Sequence, residues 1–132
     1  MNSKDKTLLV VDDAPDNIQL LSGLLKATYK VKAATSGEKA LLIAGKIPPP
    51  DLILLDVMMP GMDGYEVCRQ LKAEPATCDI PVVFVTGHSS ELEREQGLAM
   101  GAAAYLSKPV DPATLYSTLE ELLGQPCQGV EE

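Results

Sequence analysis

Short runs of consecutive apolar residues limit the folds available to this chain more than any other feature of its sequence. Residues 7–11, 51–55 and 81–86 form such runs, and each has the length of a β-strand. Strands that are apolar at successive positions are buried on both faces, as in parallel sheets. Residues 29–34 alternate and predict a more exposed strand, and residues 103–106 predict a weak fifth strand. The sequence therefore predicts a sheet of five strands.

Segments with the apolar period of a helix lie between these runs, and each has a recognisable start. Pro15 suits a first helical position. Residues 35–38 and 90–93 have the spacing of a capping box, and Asp63 and Asp111 stand before two further helices. Five strands that alternate with five helices predict an α/β fold, with a doubly wound parallel sheet.

The length and charge of the chain narrow its function. We assign residues 1–124 to one domain and residues 125–132 to a flexible C-terminal tail or the start of a linker. The formal net charge of −8 disfavours direct binding to nucleic acid, because an acidic body repels phosphate backbones. No apolar run approaches the roughly 20 residues that span a bilayer, and the N-terminus leads into no signal-peptide core. These features predict a cytoplasmic protein that does not enter membranes.

Polar residues follow four of the predicted strands at the points where the strands end. Asp12 and Asp13 follow the first strand, Asp56 the third, Thr86 ends the fourth, and Lys108 follows the fifth. Doubly wound sheets bind ligands at this edge. Three carboxylates that lie close together need a cation to offset their repulsion, and oxygen ligands suit Mg²⁺. A carboxylate nucleophile beside cations and a hydroxyl is suited to phosphoryl transfer.

Four motifs together resemble the receiver domains of response regulators in two-component signalling, with chemotaxis regulators as the general type. They are Asp12-Asp13, the run LLDVMMPGMDG at residues 54–64, Val85-Thr86-Gly87, and residues 101–109. The resemblance covers residues 7–123. It implies a flavodoxin-like (βα)5 fold with strand order 2-1-3-4-5. It also implies that Asp56 accepts a phosphoryl group from a phosphohistidine on a sensor histidine kinase or phosphotransfer protein, without turnover of a small molecule.

The resemblance implies a magnesium site as well. In the pattern of the family, Asp13 and Asp56 bind Mg²⁺ directly, and the main-chain carbonyl of Met58 is the third protein ligand. Asp12 acts through a metal-bound water or as an outer ligand.

The same resemblance assigns the phosphoryl contacts and the switch. Lys108 pairs with the phosphoryl oxygens, Thr86 moves in to bond them, and Tyr105 turns inward as the coupled aromatic switch. The Lys108–Pro109 peptide bond is expected to be cis, and the resemblance also assigns Pro109 to the switch residues. The surface near Tyr105 then controls a partner or a downstream output domain.

The lifetime of the phosphorylated state is a further expectation. In the family, the positions that frame the attacking water are occupied here by Met58 and His88. Met58 covers the phosphoryl group with an apolar side chain and offers the water no useful hydrogen bond. We therefore expect slow hydrolysis compared with fast chemotaxis-type receivers.

Other functions fit the sequence less well. A flavin-binding protein of this architecture needs a phosphate-cradling first loop, whereas residues 12–17 are acidic and contain proline. A hydrolase with an aspartyl-phosphate intermediate needs a second carboxylate close after the nucleophile, where Val57 and Met58 stand. A phosphorylation-independent interaction module of the same fold is kept as the alternative. The first loop and residues 65–69 also resemble receivers fused ahead of cyclic-dinucleotide enzymes or kinases.

Overall fold

The chain alternates strictly between strands and helices. A computed structural model describes residues 6–46, 48–87, 90–108 and 110–123. Its ten elements are β1 (Thr7–Val11), α1 (Pro15–Leu25), β2 (Lys30–Ala34), α2 (Gly37–Ala44), β3 (Leu52–Leu55), α3 (Gly64–Ala73), β4 (Val82–Thr86), α4 (Glu91–Ala99), β5 (Ala104–Ser107) and α5 (Pro112–Leu123). The predicted α/β class and the predicted number of strands are confirmed.

The five strands form one parallel sheet in the order β2-β1-β3-β4-β5. The order reverses direction at β1, so β1 and β3 lie side by side in the middle and their carboxyl ends open at the same edge. Val11 is in register with Leu55 of β3 and with Ala34 of β2. The predicted strand order is therefore confirmed, and the residues after Val11 and Leu55 are brought together at the switch point.

Helices cover both faces of the sheet, and each face has its own core. Leu8 and Val10 point to the face covered by α1 and α5, whereas Leu9 and Val11 point to the face covered by α2 and α3. Every residue of β3 and β4 is buried, and β2 at the edge is largely exposed, as predicted from their sequence patterns. Among the described helices, none is both long enough and apolar enough to cross a membrane.

Most of the predicted helix starts are confirmed, and one is wrong. Pro15 is the first residue of α1, and Asp63 caps α3 by accepting the backbone N–H of Glu66 at 2.9 Å. Ser90 and Glu93 form the predicted capping box. The capping-box spacing at residues 35–38 is misleading, however. The cap of α2 is Ser36, one residue later, and its hydroxyl accepts from Lys39, which leaves no acid at the reciprocal position.

Four of the five strands begin one residue later than the apolar patterns predict, and only β1 has the predicted start. The residues before β2 and β4 do not donate into the sheet, whereas Asp51 and Ala103 before β3 and β5 already donate to Thr7 and Val82 of neighbouring strands. Tyr29 donates its N–H to Leu25 at the end of α1, and Pro81 has no N–H to donate. The predicted boundary at residue 124, the tail, and the Lys108–Pro109 peptide bond lie outside the described residues.

Candidate functional site

Three carboxylates meet at the carboxyl ends of the two central strands. Asp12 and Asp13 follow β1, Asp56 follows β3, and one oxygen of each lies within 4.8 Å of the others. Asp12 is 2% exposed and Asp56 is 5% exposed, while Asp13 faces solvent. Two acids are thus held in a nearly dry setting, with the third at its mouth.

Backbone hydrogen bonds from neighbouring strands fix this cluster. The N–H of Asp56 donates to the carbonyl of Val11 at 2.9 Å, and the N–H of Asp12 donates to that of Ala34 at 3.1 Å. The side chain of Asp12 is oriented by the N–H of Ala14, which donates to Oδ1 at 2.9 Å. The sheet therefore continues for one residue past β1 and β3, and it carries both buried acids on rigid backbone.

The ammonium group of Lys108, which follows the edge strand β5, contacts the cluster. Its Nζ donates to Oδ2 of Asp12 at 2.8 Å and lies 3.5 Å from Oδ1 of Asp56. Its backbone N–H donates to the carbonyl of Thr86 at 2.9 Å, which ties the start of the loop after β5 to the end of β4. Partial burial opposes the charge on Lys108, but the two carboxylates outweigh it and raise the pKa of the ammonium group. Lys108 stays protonated at neutral pH.

Asp56 is the acid whose charge is least favoured. Burial raises its pKa above the ordinary value, and the nearby carboxylate of Asp12 raises it further. Lys108 and a hydrogen bond from the backbone N–H of Met58 act in the opposite direction without cancelling the increase. A buried carboxylate with poor compensation is more basic than a solvated one, which favours it as a nucleophile.

The remaining predicted site residues differ in their burial and in their position relative to this cluster. Thr86 is fully buried at the end of β4, beside Ser107 in the sheet register. Tyr105 is 1% exposed and packs in the core on the α2–α3 face, outside the carboxylate cluster. The side chain of Met58 is 54% exposed, and its backbone N–H faces Asp56. His88 and Pro109 lie outside the described residues.

Gly64 is a positioning residue for which the sequence analysis predicted no role. It begins α3 directly after the cap Asp63, and its N–H donates to the carbonyl of Val57 at 2.8 Å. A Cβ atom at this position would overlap the backbone carbonyl oxygen of Asp56 and would lie 2.8 Å from Cα of Val57. The loop that carries Asp56 therefore needs glycine here. The available signal was the Asp-Gly pair at residues 63–64, which also has an ordinary interpretation as a helix cap.

The donor set fits a magnesium ion. All three acids offer oxygen, the ligand type that Mg²⁺ prefers. When ionised, the three carboxylates outnumber the single ammonium group of Lys108 by two charges, which a divalent cation would balance. Burial raises the pKa of Asp56 most, and the negative charge of Asp12 raises it further.

Comparison with known proteins agrees with this geometry. Residues 8–120 match the family described as response regulator receiver domain. The response regulator PleD of Caulobacter vibrioides is 47% identical over 116 residues, and a probable cyclic di-GMP phosphodiesterase of Vibrio cholerae is 48% identical over 111 residues. These alignments cover 87% and 84% of this chain but 25% of each relative. The chain thus spans about a quarter of the length of these relatives.

A solved structure with the same fold contains a magnesium ion. The receiver domain of the sensor histidine kinase PA1611 from Pseudomonas aeruginosa, solved with a magnesium ion coordinated in the active site cleft, superposes with a TM-score of 0.82. It is 29% identical, and the match covers 91% of this chain and 98% of that one. The chain belongs to the receiver domains of response regulators, and its role is that of a phosphoacceptor in two-component signalling.

Proposed function

We propose that Asp56 is the residue that accepts the phosphoryl group. The observation that carries this assignment is the burial of its carboxylate beside Asp12, with the ammonium group of Lys108 3.5 Å away. A carboxylate oxygen of Asp56 attacks phosphorus of a phosphohistidine, the new O–P bond forms, and the P–N bond breaks. The electron pair of that bond leaves with the imidazole of the donor.

Lys108 and Thr86 are proposed to stabilise the product. Transfer turns the Asp56 carboxylate into an acyl phosphate, so a phosphoryl group with up to two negative charges replaces the single charge of the carboxylate. Lys108 needs to shift only slightly from Asp56 to meet a phosphoryl oxygen, because it already lies between the two buried acids. The hydroxyl of Thr86 stands at the same sheet edge and supplies a neutral donor to another oxygen.

Asp13, Asp56 and the main-chain carbonyl of Met58 are proposed to hold a magnesium ion, with Asp12 as an outer ligand. Such an ion, when bound, neutralises charge on the phosphoryl oxygens during transfer. Asp13 is suited to this role because it is exposed at the mouth of the cluster, where an ion arrives with its waters. The carboxylate of Asp12 already accepts hydrogen bonds from Lys108 and Ala14, which suits an outer ligand of the ion better than a direct one.

Phosphorylation is proposed to act through the surface near Tyr105. The partners that supply the phosphoryl group are a sensor histidine kinase or a phosphotransfer protein, and the receiver of the signal is a downstream output domain or target protein. The chain itself is not expected to turn over a small molecule. The phosphodiesterase relative carries its named activity in a protein about four times as long as the matched segment, which is consistent with a separate output domain there.

The alternative, an interaction module that works without phosphorylation, is disfavoured by the intact cluster. A vestigial site would have no reason to keep two nearly unexposed carboxylates and an ammonium group in mutual contact, because unbalanced buried charge is destabilising.

Labelling with a small phosphodonor tests the proposal. Incubation with acetyl phosphate and Mg²⁺ is expected to add one phosphoryl group per chain by intact mass, and chelation of the metal is expected to prevent it. Asp56→Asn should abolish the added mass, and Asp16→Asn, an exposed acid in the first turn of α1, is the matched control that should label normally. Full labelling of Asp56→Asn, or equal labelling with and without Mg²⁺, would refute the assignment.

A further inference from the structure

Three aromatic rings lie in mutual contact, one after another, beneath α4. The ring of Phe84 lies 5.3 Å from that of Tyr65 and 5.7 Å from that of Tyr105, in edge-on and tilted arrangements that aromatic pairs prefer. Phe84 and Tyr105 are in register on β4 and β5, and Tyr65 belongs to α3. The Tyr105 ring therefore contacts the ring of Phe84 on the neighbouring strand, and Phe84 in turn contacts Tyr65 of a helix.

Gly97 of α4 leaves the space that the Tyr105 ring fills. A Cβ atom on this residue would lie 2.8 Å and 2.9 Å from two ring carbons of Tyr105 and 3.1 Å from a ring carbon of Phe84. Gly97 is buried in the interior of the helix, has no unusual backbone conformation, and is costly there compared with alanine. The close approach of the ring is the physical reason for glycine at this position.

Tyr65 adds a polar contact at the far end of the ring. Its hydroxyl lies 3.4 Å from the hydroxyl of Tyr105, a long and therefore weak hydrogen bond. Burial raises the pKa of the Tyr105 phenol, and the Tyr65 hydroxyl adds to the increase, so the Tyr105 phenol stays neutral at physiological pH.

We propose that Gly97 and Tyr65 form a receptacle that holds Tyr105 in its inward position, and that both are positioning residues for the aromatic switch. The inference rests on the proposed function, in which the surface near Tyr105 carries the signal. The contacts named above come from α3, α4 and β4, and none involves a group on Asp56. These contacts therefore favour the inward position of Tyr105 in both phosphorylation states. A phosphoryl group on Asp56 shifts the equilibrium between inward and outward Tyr105 only by the difference in its affinity for the two states.

Fluorine NMR on chains labelled with 3-fluorotyrosine measures the position of Tyr105 directly. The chain has four tyrosines, so single Tyr→Phe variants assign every signal. The shift of each signal between H₂O and D₂O reports the exposure of that ring. In the unphosphorylated wild type, we expect Tyr105 to show little solvent shift, in contrast to Tyr116, which is 37% exposed.

Two variants perturb the receptacle by different means. Tyr65→Phe removes only a weak hydrogen bond and should raise the outward-to-inward ratio of Tyr105 by about twofold to threefold. Gly97→Ala overlaps the ring and should raise this ratio by about tenfold. Tyr116→Phe removes a phenol that bonds Leu24 on the opposite face, and Gly23→Ala adds a methyl group where nothing lies within 4 Å. These two controls should leave the Tyr105 signal unchanged.

The outcomes separate this inference from the proposed function. A strongly solvent-shifted Tyr105 in the wild type, or a Tyr105 that stays buried in both Tyr65→Phe and Gly97→Ala, would overturn the receptacle. Adding beryllium fluoride with Mg²⁺, as a mimic of the phosphoryl group, is expected to return Tyr105 to the buried signal in both variants. If it leaves the exposed Tyr105 signal of both variants unchanged, the proposed phosphoryl site is wrong while the measurement of the receptacle stands.

Discussion

Gly64→Ala is expected to damage both the stability of the chain and its reaction with a phosphodonor. The added Cβ would lie 2.8 Å from Cα of Val57, whereas ordinary contact begins at 3.4 Å, and it would overlap the carbonyl oxygen of Asp56 more severely. All of these neighbours are backbone atoms, so the loop must move by at least about 0.6 Å. Overpacking of this kind costs about 1–3 kcal/mol of unfolding free energy.

The displaced loop carries the proposed nucleophile, so the reaction should suffer more than the stability. A misplacement of about 1 Å can lower a rate by about 10²-fold when the reacting groups must be aligned. Urea unfolding measures the first effect, and the rate of mass labelling with acetyl phosphate and Mg²⁺ measures the second.

The matched control for Gly64→Ala is Gly23→Ala in α1. There the new methyl group meets nothing within 4 Å, so it should raise stability by up to about 1 kcal/mol through helix propensity and leave labelling unchanged. If Gly64→Ala unfolds at the same urea concentration as the wild type and is labelled at the same rate, the close approach of Gly64 to Asp56 does not constrain the site.

Three further predictions concern the charges and the shield around Asp56. Asp56→Asn should raise unfolding free energy at neutral pH by about 0.5–2 kcal/mol, because it removes a poorly compensated buried charge. Since the folded pKa of Asp56 is raised, its contribution to stability falls as pH rises from the ordinary aspartate value through the folded one, and urea unfolding across this range should show a flatter profile for the variant. Lys108→Met should cost about 3 kcal/mol by urea unfolding and abolish labelling, because it leaves the 2% exposed carboxylate of Asp12 without its ammonium partner. An unchanged urea midpoint would show that this ion pair contributes nothing to stability. Met58→Asn should accelerate phosphate release from the purified phosphoprotein by about tenfold, because an amide can orient the attacking water and the half-exposed methionine cannot. A wild type that loses its phosphoryl group within seconds, with no acceleration in the variant, would contradict shielding by Met58.

The sequence predicts the sheet and the cluster because both depend on strong local patterns. The continuous apolar runs of β1, β3 and β4 have few alternatives to burial in a parallel sheet. Once the strands are parallel, Asp12, Asp13 and Asp56 must lie at one edge, and their meeting there needs β1 and β3 to be neighbours, which the resemblance to a family implies. The contact of Lys108 with Asp12 needed the order of β1 and β5 as well, which came from the resemblance to a family.

Features that depend on tertiary distance are invisible in the sequence. Gly64 and Gly97 are required by atoms that approach from other elements, and nothing in their own segments distinguishes them from ordinary glycines. Tyr65 matters only because Tyr105 is close by in space, 40 residues away along the chain. The spacing at residues 35–38 predicts Thr35 as the cap, but Ser36 beside it is an equally good cap residue, and its extended backbone and its bond from Lys39 decide for Ser36.

The most direct test of Asp56 as the phosphoacceptor is to locate the phosphoryl group chemically. Borohydride reduces an acyl phosphate to an alcohol, so a phosphorylated aspartate becomes homoserine and can be read by tandem mass spectrometry of peptides. After treatment with acetyl phosphate and Mg²⁺, we expect homoserine at position 56 and aspartate at positions 12 and 13. Homoserine at position 12 or 13, or at no position in a chain that has gained the mass of one phosphoryl group, would contradict the assignment of Asp56.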